Sequence, residues 1–181
     1  MGISSATWPL FGVIWPSSEV LANLMQSYPI EDLSILELGC GIGLSSIILN
    51  QRNANITSSD HHPDAGTFLK ENLKLNNFRE IEFIRADWDD EENSLEKYDL
   101  IIGSDLLYQP DHIMTLSRII QNAANPKCVV IIVDPGRGNS NKFTKEMEKY
   151  NFVLTEELCS FTTNSKQDYK GKILTYTRSI L

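Results

Sequence analysis

The chain has 181 residues, long enough to bury a substantial core as one domain, and its 41% hydrophobic and 22% charged residues are ordinary for a soluble globular protein. A formal net charge of −8, with no run of Lys or Arg, sets the surface against phosphate backbones, so nucleic acid is not an expected partner. The three cysteines, Cys40, Cys128 and Cys159, are scattered through apolar stretches, which argues against a disulfide or zinc framework and fits reduced thiols in the cytoplasm. No segment reads as a signal peptide, a bilayer span or an internal repeat, so no membrane partner is expected.

In chain order, residues 11–15 (FGVIW) form an apolar, aromatic lead-in. Pro16-Ser17-Ser18-Glu19 has the form of a helix start, with Val20, Leu21, Leu24 and Met25 on one face and an end near 27–29. A first strand is expected over 34–38 with a helix over 43–52, and a second strand over 54–59 ending at Asp60. Pro63 opens the next helix, whose apolar side is expected to carry Phe68, Leu69, Leu73 and Leu75. Residues 80–85 (EIEFIR) alternate as a third strand, followed by an acidic loop at 89–92 that reads as solvated. A fourth strand covers 98–103, and Pro110-Asp111 begins a helix with Ile113, Leu116 and Ile120 on one face. The continuous apolar run 127–133 reads as a central strand buried on both faces. A loop at 134–138, a helix over 142–150 and two strands over 152–161 and 172–178 complete the chain.

Strands alternating with helices imply right-handed crossovers and a parallel sheet, while the terminal hairpin adds an antiparallel strand. In such sheets ligands sit beyond the carboxyl ends of the strands, where the unusual residues of this chain fall. The first of these places is Ser34–Ser45, SILELGCGIGLS. A buried strand runs into Gly39, Gly41 and Gly43, and apolar residues resume at helical spacing in Leu44, Ile47 and Ile48. Such a turn lets backbone approach a ligand closely and aims helix N–H groups at it. A dinucleotide fingerprint would place its third glycine three residues past Gly41, where this chain has Leu44.

Asp60, about 20 residues past the loop, is placed to accept hydrogen bonds from ribose hydroxyls, the alternative being a turn residue before Pro63. Asp87 and Trp88 close the third strand, where Trp88 is either a platform for a purine ring or a core residue. His61, His62 and Asp64 crowd into one turn with no matching cluster, so no metal site is expected.

A G-x-G-x-G loop entered through Glu-Leu resembles motif I of the Rossmann-like, seven-strand (class I) S-adenosylmethionine-dependent methyltransferases. Ser104-Asp105-Leu106-Leu107-Tyr108 lacks the Pro-Pro-aromatic signature of amide methylation and resembles instead the Asp-x-x-Tyr motif of the protein-lysine methyltransferases of methyltransferase family 16. That group was first described as nicotinamide N-methyltransferase-like. The segment GVIWPSSEVLANLM before the loop, and ADW after the third strand, follow in that family's order. Asp134-Pro135-Gly136-Arg137 resembles a segment of the branch that methylates an electron-transfer flavoprotein subunit.

The resemblance implies an α/β fold with a mostly parallel seven-stranded sheet, helices on both faces and a C-terminal antiparallel hairpin. It implies S-adenosyl-L-methionine as cofactor, with Trp15, Glu37, Gly39, Gly41, Gly43, Asp60, Asp87, Trp88 and Ser104 on the cofactor side. Asp105 and Tyr108 are then expected on the substrate side as the catalytic pair, the alternative being a helix cap and a core aromatic. The expected organisation is one domain over 1–181, with an N-terminal arm and helix (1–30), a cofactor-binding core (31–137) and a closing helix and hairpin (138–181). The expected activity is N-methylation of a lysine side chain of a protein. The alternatives are methylation of a small amine or pyridine nitrogen, and a non-catalytic cofactor-binding assembly factor. A monomer is the default expectation.

Overall fold

A computed structural model of the protein describes residues 10–88, 95–162 and 168–179. The acidic loop expected at 89–92 lies outside the described residues, as does the part of the hairpin turn at 163–167.

Seven strands form one sheet: β1 (Ser34–Leu38), β2 (Asn55–Asp60), β3 (Glu82–Arg85), β4 (Tyr98–Ser104), β5 (Ala124–Asp134), β6 (Val153–Thr162) and β7 (Asp168–Ser179). Their order is β3-β2-β1-β4-β5-β7-β6. The first five are mutually parallel, and β7 runs antiparallel to both β5 and β6. The order reverses between β1 and β4, so their carboxyl ends open a crevice that no crossover covers.

The sheet alternates its side chains between two cores, as a pleat requires. Ile35, Leu100, Ile102, Ile131 and Val133 face one layer with α1 (Pro16–Met25) and Leu49 of α2 (Leu44–Gln51). Leu36, Leu38, Ile101, Val130 and Ile132 face the other, with α4 (Ile113–Ala123) and α5 (Ser140–Lys149). Burying a Leu or Ile on such a face contributes about 1.5–3 kcal/mol. A third helix, α3 (Ala65–Leu75), follows β2 and contacts β2 and β3.

Four elements differ from the pattern read in the sequence. The buried side of α2 is Ser45, Ser46, Leu49 and Asn50, and the apolar series Leu44, Ile47, Ile48 is only partly buried. Two of these polar residues face inward onto buried partners: Ser46 meets a carboxylate, described below, and Asn50 Nδ2 donates to the Arg79 carbonyl at 3.0 Å. Helix α3 starts at Ala65 and buries Leu69 and Leu73, while Phe68 and Leu75 are 48% and 80% exposed. Phe68 packs edge-on against Phe11 and Leu75 lies in the last turn. Strand β5 begins at Ala124, directly after α4, and so includes Asn125-Pro126. Strand β7 begins at Asp168, continuing through Gly171, which hid its first turn of alternation.

Candidate active site

The three loop glycines all have left-handed backbones, with φ of 61° at Gly39, 55° at Gly41 and 80° at Gly43. The loop is stitched to its neighbours by backbone N–H donors: Cys40 to the Ser59 carbonyl at 2.9 Å and Gly43 to the Cys40 carbonyl at 2.8 Å. At Gly41 a Cβ would sit 3.0 Å from the Phe11 carbonyl oxygen, so the lead-in segment crosses the loop at backbone distance. At Gly43 a Cβ would fall 2.3 Å from Leu69 Cδ1. Gly43 is therefore the N-cap of α2 and the seat of α3, and it does not line the crevice as the sequence reading had it.

The crevice is a cleft of about 830 Å³, in the range of roughly 300–1,000 Å³ usual for cofactor and ligand sites. Phe11, Val13 and Trp15 form one wall, alternating with the exposed Gly12 and Ile14. Gly39, Gly41 and Leu44 form the floor from the loop. Pro16 at the first position of α1 fixes the exit of the wall segment, and the Trp15 carbonyl accepts both the N–H and the hydroxyl of Ser18.

Glu37 lies elsewhere than expected. It is 3% exposed, absent from the cleft lining, and its Oε2 accepts the Ser46 N–H at 2.9 Å and the Ser46 hydroxyl. Ser46 in turn accepts the Ser58 hydroxyl at 2.6 Å. Strand parity explains this: Glu37 shares the Ile35 face and points under α2, whose first turn offers donors to an anion. Burial pushes its pKa up to about 7, against the pull of the Ser46 hydrogen bonds.

Asp60 lines the cleft and is 7% exposed. Its Oδ2 accepts the Gly41 N–H at 3.0 Å and its Oδ1 the His62 N–H at 2.9 Å. Asp60 thus closes the turn and also faces the cleft. His62 stacks on Phe11 with ring centres 4.1 Å apart and accepts the Asp64 N–H, while His61 is exposed. Asp87 and Trp88 also line the cleft. Trp88 is half-buried against the core beneath α4, meets His112 edge to face and still lines the cleft.

Asp105 follows β4 with φ of 53°, a left-handed conformation uncommon outside glycine. Its N–H donates to the Val133 carbonyl at 2.9 Å, which aims the side chain into the cleft beside Ser104. The carboxylate is held side-on by Arg137, Nε to Oδ1 at 2.6 Å and Nη2 to Oδ2 at 2.7 Å. It caps no helix: the short 3-10 turn Pro110–His112 starts from Gln109 without a side-chain cap. Tyr108 is not a core residue; it is 42% exposed and lines the cleft. Partial burial, followed by the charges of Asp60 and Asp105, raises its pKa.

The cleft thus gathers Trp15, Gly39, Gly41, Asp60, Asp87, Trp88, Ser104, Asp105 and Tyr108, and leaves out Glu37 and Gly43. Sequence reasoning missed Phe11, Val13, His112 and Arg137. The period-2 spacing of Phe11 and Val13 to Trp15 was the available signal for the first two. Arg137 ends the Asp134–Arg137 segment noted in the sequence, but no local signal ties it to Asp105, 32 positions away.

Glycine loop, switch-point cleft and terminal antiparallel hairpin together define the class I S-adenosylmethionine-dependent methyltransferase fold. Such a methyltransferase from Methanosarcina mazei superposes with a TM-score of 0.70 at 13% identity, covering 93% of this chain and 99% of that one. The magnesium protoporphyrin IX methyltransferase of Synechocystis with bound S-adenosylmethionine gives 0.66 at 20% identity, covering 88% and 76%. Residues 9–150 match the lysine methyltransferase family, and the chain belongs to that family. It is 27% identical over 157 residues to the calmodulin-lysine N-methyltransferase of Arabidopsis thaliana, covering 78% of this chain and 52% of that protein. It is 30% identical over 135 residues to the electron transfer flavoprotein beta subunit lysine methyltransferase of Rattus norvegicus, covering 71% and 51%. The chain spans about half the length of these curated relatives.

The cleft suits that cofactor. Among its described lining residues three aspartates stand against one arginine, and that arginine is already paired, so the surroundings favour a sulfonium over a pyrophosphate. Trp88 supplies a flat apolar surface near the loop, with its ring edge at 4.0 Å from a Cβ built on Gly39.

Proposed function

We propose that the protein is an S-adenosylmethionine-dependent N-methyltransferase that modifies a lysine side chain of a protein. The observation that carries this reading is the placement of Asp105 and Tyr108 on the wall of the same cleft that the glycine loop floors. Membership of the lysine methyltransferase family and the lysine-directed names of its relatives support it.

When bound, the cofactor supplies a methyl group already activated on a sulfonium. The chain's residues then have three tasks: hold the donor, align an amine with it, and exclude water. Asp60 and Asp87 are assigned to ribose and adenine, with Trp88 along the purine and Trp15 covering the methionine end. Ser104, which lines the cleft beside Asp105, is assigned to the cofactor side. Asp105 accepts a hydrogen bond from the incoming amine and turns its lone pair toward the methyl, while Tyr108 walls the site with its ring face. Glu37 and Gly43 act one layer out, fixing the start of α2 and the seat of α3.

Incubation with labelled S-adenosylmethionine tests the reading, using a cell lysate in one arm and purified calmodulin and electron transfer flavoprotein in two others. Label on a lysine of a discrete protein is the expected result. Label confined to the low-mass fraction would replace the protein acceptor by a small amine, and no transfer at all would overturn catalysis.

A further inference from the structure

The loop after β5 is built to deliver one guanidinium to one carboxylate. Gly136 and Gly138 take φ of 89° and 86°, with nothing within 4 Å of a Cβ at either. Crowding therefore does not account for these glycines, whereas the path of the chain does. Asn139 Nδ2 donates to the Leu107 carbonyl at 2.8 Å and fastens the far end of the loop to the segment after β4. Between these anchors Arg137 lies side-on against Asp105, whose side chain is 12% exposed while that of Arg137 is 44% exposed. Both residues line the cleft.

The electrostatic setting makes the pairing consequential. Asp60, His61 and His62 face the cleft from the end of β2, and Asp87 from the end of β3. Tyr108 and His112 face it from beyond β4. Behind Arg137, Asp134 is 1% exposed, and among the described residues the buried Tyr169 hydroxyl has no hydrogen-bond partner. Among the described lining residues Arg137 is the one Lys or Arg. An amine arriving at an unpaired Asp105 would meet several acids and would be held as ammonium, which has no lone pair to attack a methyl group. With the bidentate guanidinium in place the carboxylate retains hydrogen-bond acceptor capacity but presents no net charge.

We propose, on the reading of this cleft as a lysine-methylating site, that Arg137 is a positioning residue that cancels the charge of Asp105 so the acceptor amine is received as its free base. No atom of Arg137 takes part in the transfer. The guanidinium sets which protonation state of the acceptor the site prefers, and its planar grip fixes the direction of the carboxylate oxygens.

The test uses the purified chain loaded with S-adenosylhomocysteine and n-butylamine, the side chain of lysine without its backbone, titrated by NMR at several pH values. Wild-type affinity should rise about tenfold per pH unit from pH 7 to 9, following the free-base fraction of an amine with a pKa near 10.4. Arg137→Met should bind at least about tenfold more tightly at pH 7 and lose that slope, because the bare carboxylate accepts ammonium directly. Arg137→Lys keeps the charge and should keep the slope, which separates charge cancellation from general damage to the loop. A wild type without the slope, an Arg137→Met variant that retains it, or no detectable butylamine binding at pH 9 would each overturn the proposal. Failure of the lysine reading is seen separately, in the labelled-lysate assay.

Discussion

Oδ2 of Asp60, at the end of β2, accepts the Gly41 N–H at 3.0 Å and so ties the glycine loop to the neighbouring strand. A residue singled out for binding is therefore also a structural clamp. Asp60→Ala removes the acceptors of both Gly41 and His62, each a charge-assisted bond of roughly 1.5–3 kcal/mol. The two losses together, about 3–6 kcal/mol, should lower the melting temperature by about 6–24 °C, at roughly 2–4 °C per kcal/mol for a domain of this size. S-Adenosylhomocysteine affinity, measured by calorimetry below the transition, should fall by about one to two decades. Asp60→Asn keeps one acceptor and should lose less of both.

Asp105 separates rate from stability. Asp105→Ala should lower methyl transfer at least about 10²-fold, the scale of a lost positioning contact, while cofactor affinity stays within a few-fold. Asp105→Gly loses the same carboxylate but accepts φ of 53° without strain. It should melt above the alanine variant by the equivalent of about 1 kcal/mol and be equally slow. Thermal scans and initial rates on the two variants check both halves.

Glu37 predicts a pH dependence of stability. Its folded pKa of about 7 lies above the ordinary 4.5, so the folded state holds the extra proton between those values. Stability therefore falls as pH rises from about 4.5 to 7, and the cost is complete above the folded value. At roughly 1.4 kcal/mol per unit, the amplitude is about 3 kcal/mol. Glu37→Gln should flatten this fall and gain about 1–3 kcal/mol at pH 8, as read by denaturant titration across the pH range. Since Glu37 does not line the cleft, its glutamine variant should still bind S-adenosylhomocysteine.

Gly43 and Leu69 should behave as a coupled pair. Gly43→Ala places a methyl 2.3 Å from Leu69 Cδ1 on a backbone with φ of 80°. Overpacking and left-handed strain together should cost about 2–4 kcal/mol. Adding Leu69→Ala should recover the packing part and leave the strain. A double-mutant cycle with a coupling energy near zero would mean that α3 shifts freely.

The parallel core was legible because its signals are local: glycines after an apolar strand, and alternation of helices with strands. The placement of Asp60, Trp88 and Tyr108 at strand ends followed from the same logic. What escaped was set by tertiary partners. Ser45, Ser46 and Asn50 look like the solvent side of α2 until Glu37 is known to lie beneath Ser46. Phe68 fits a helix stripe in the sequence, yet its partner is Phe11, more than fifty positions away. The pairing of Asp105 with Arg137 escaped, because no spacing rule connects residues on two loops 32 positions apart.

The strand order has a consequence for how the molecule is made. Strand β7 lies between β5 and β6, although it leaves the ribosome after both. Until β7 arrives, the edge of β5 away from β4 is open, and β6 has no strand to pair with. The half of the sheet that holds the glycine loop can assemble during synthesis, but the other half waits for the last strand to insert. A nascent chain stalled before Asp168 would expose a long apolar edge, the form of intermediate that chaperones shield and that aggregates when unshielded.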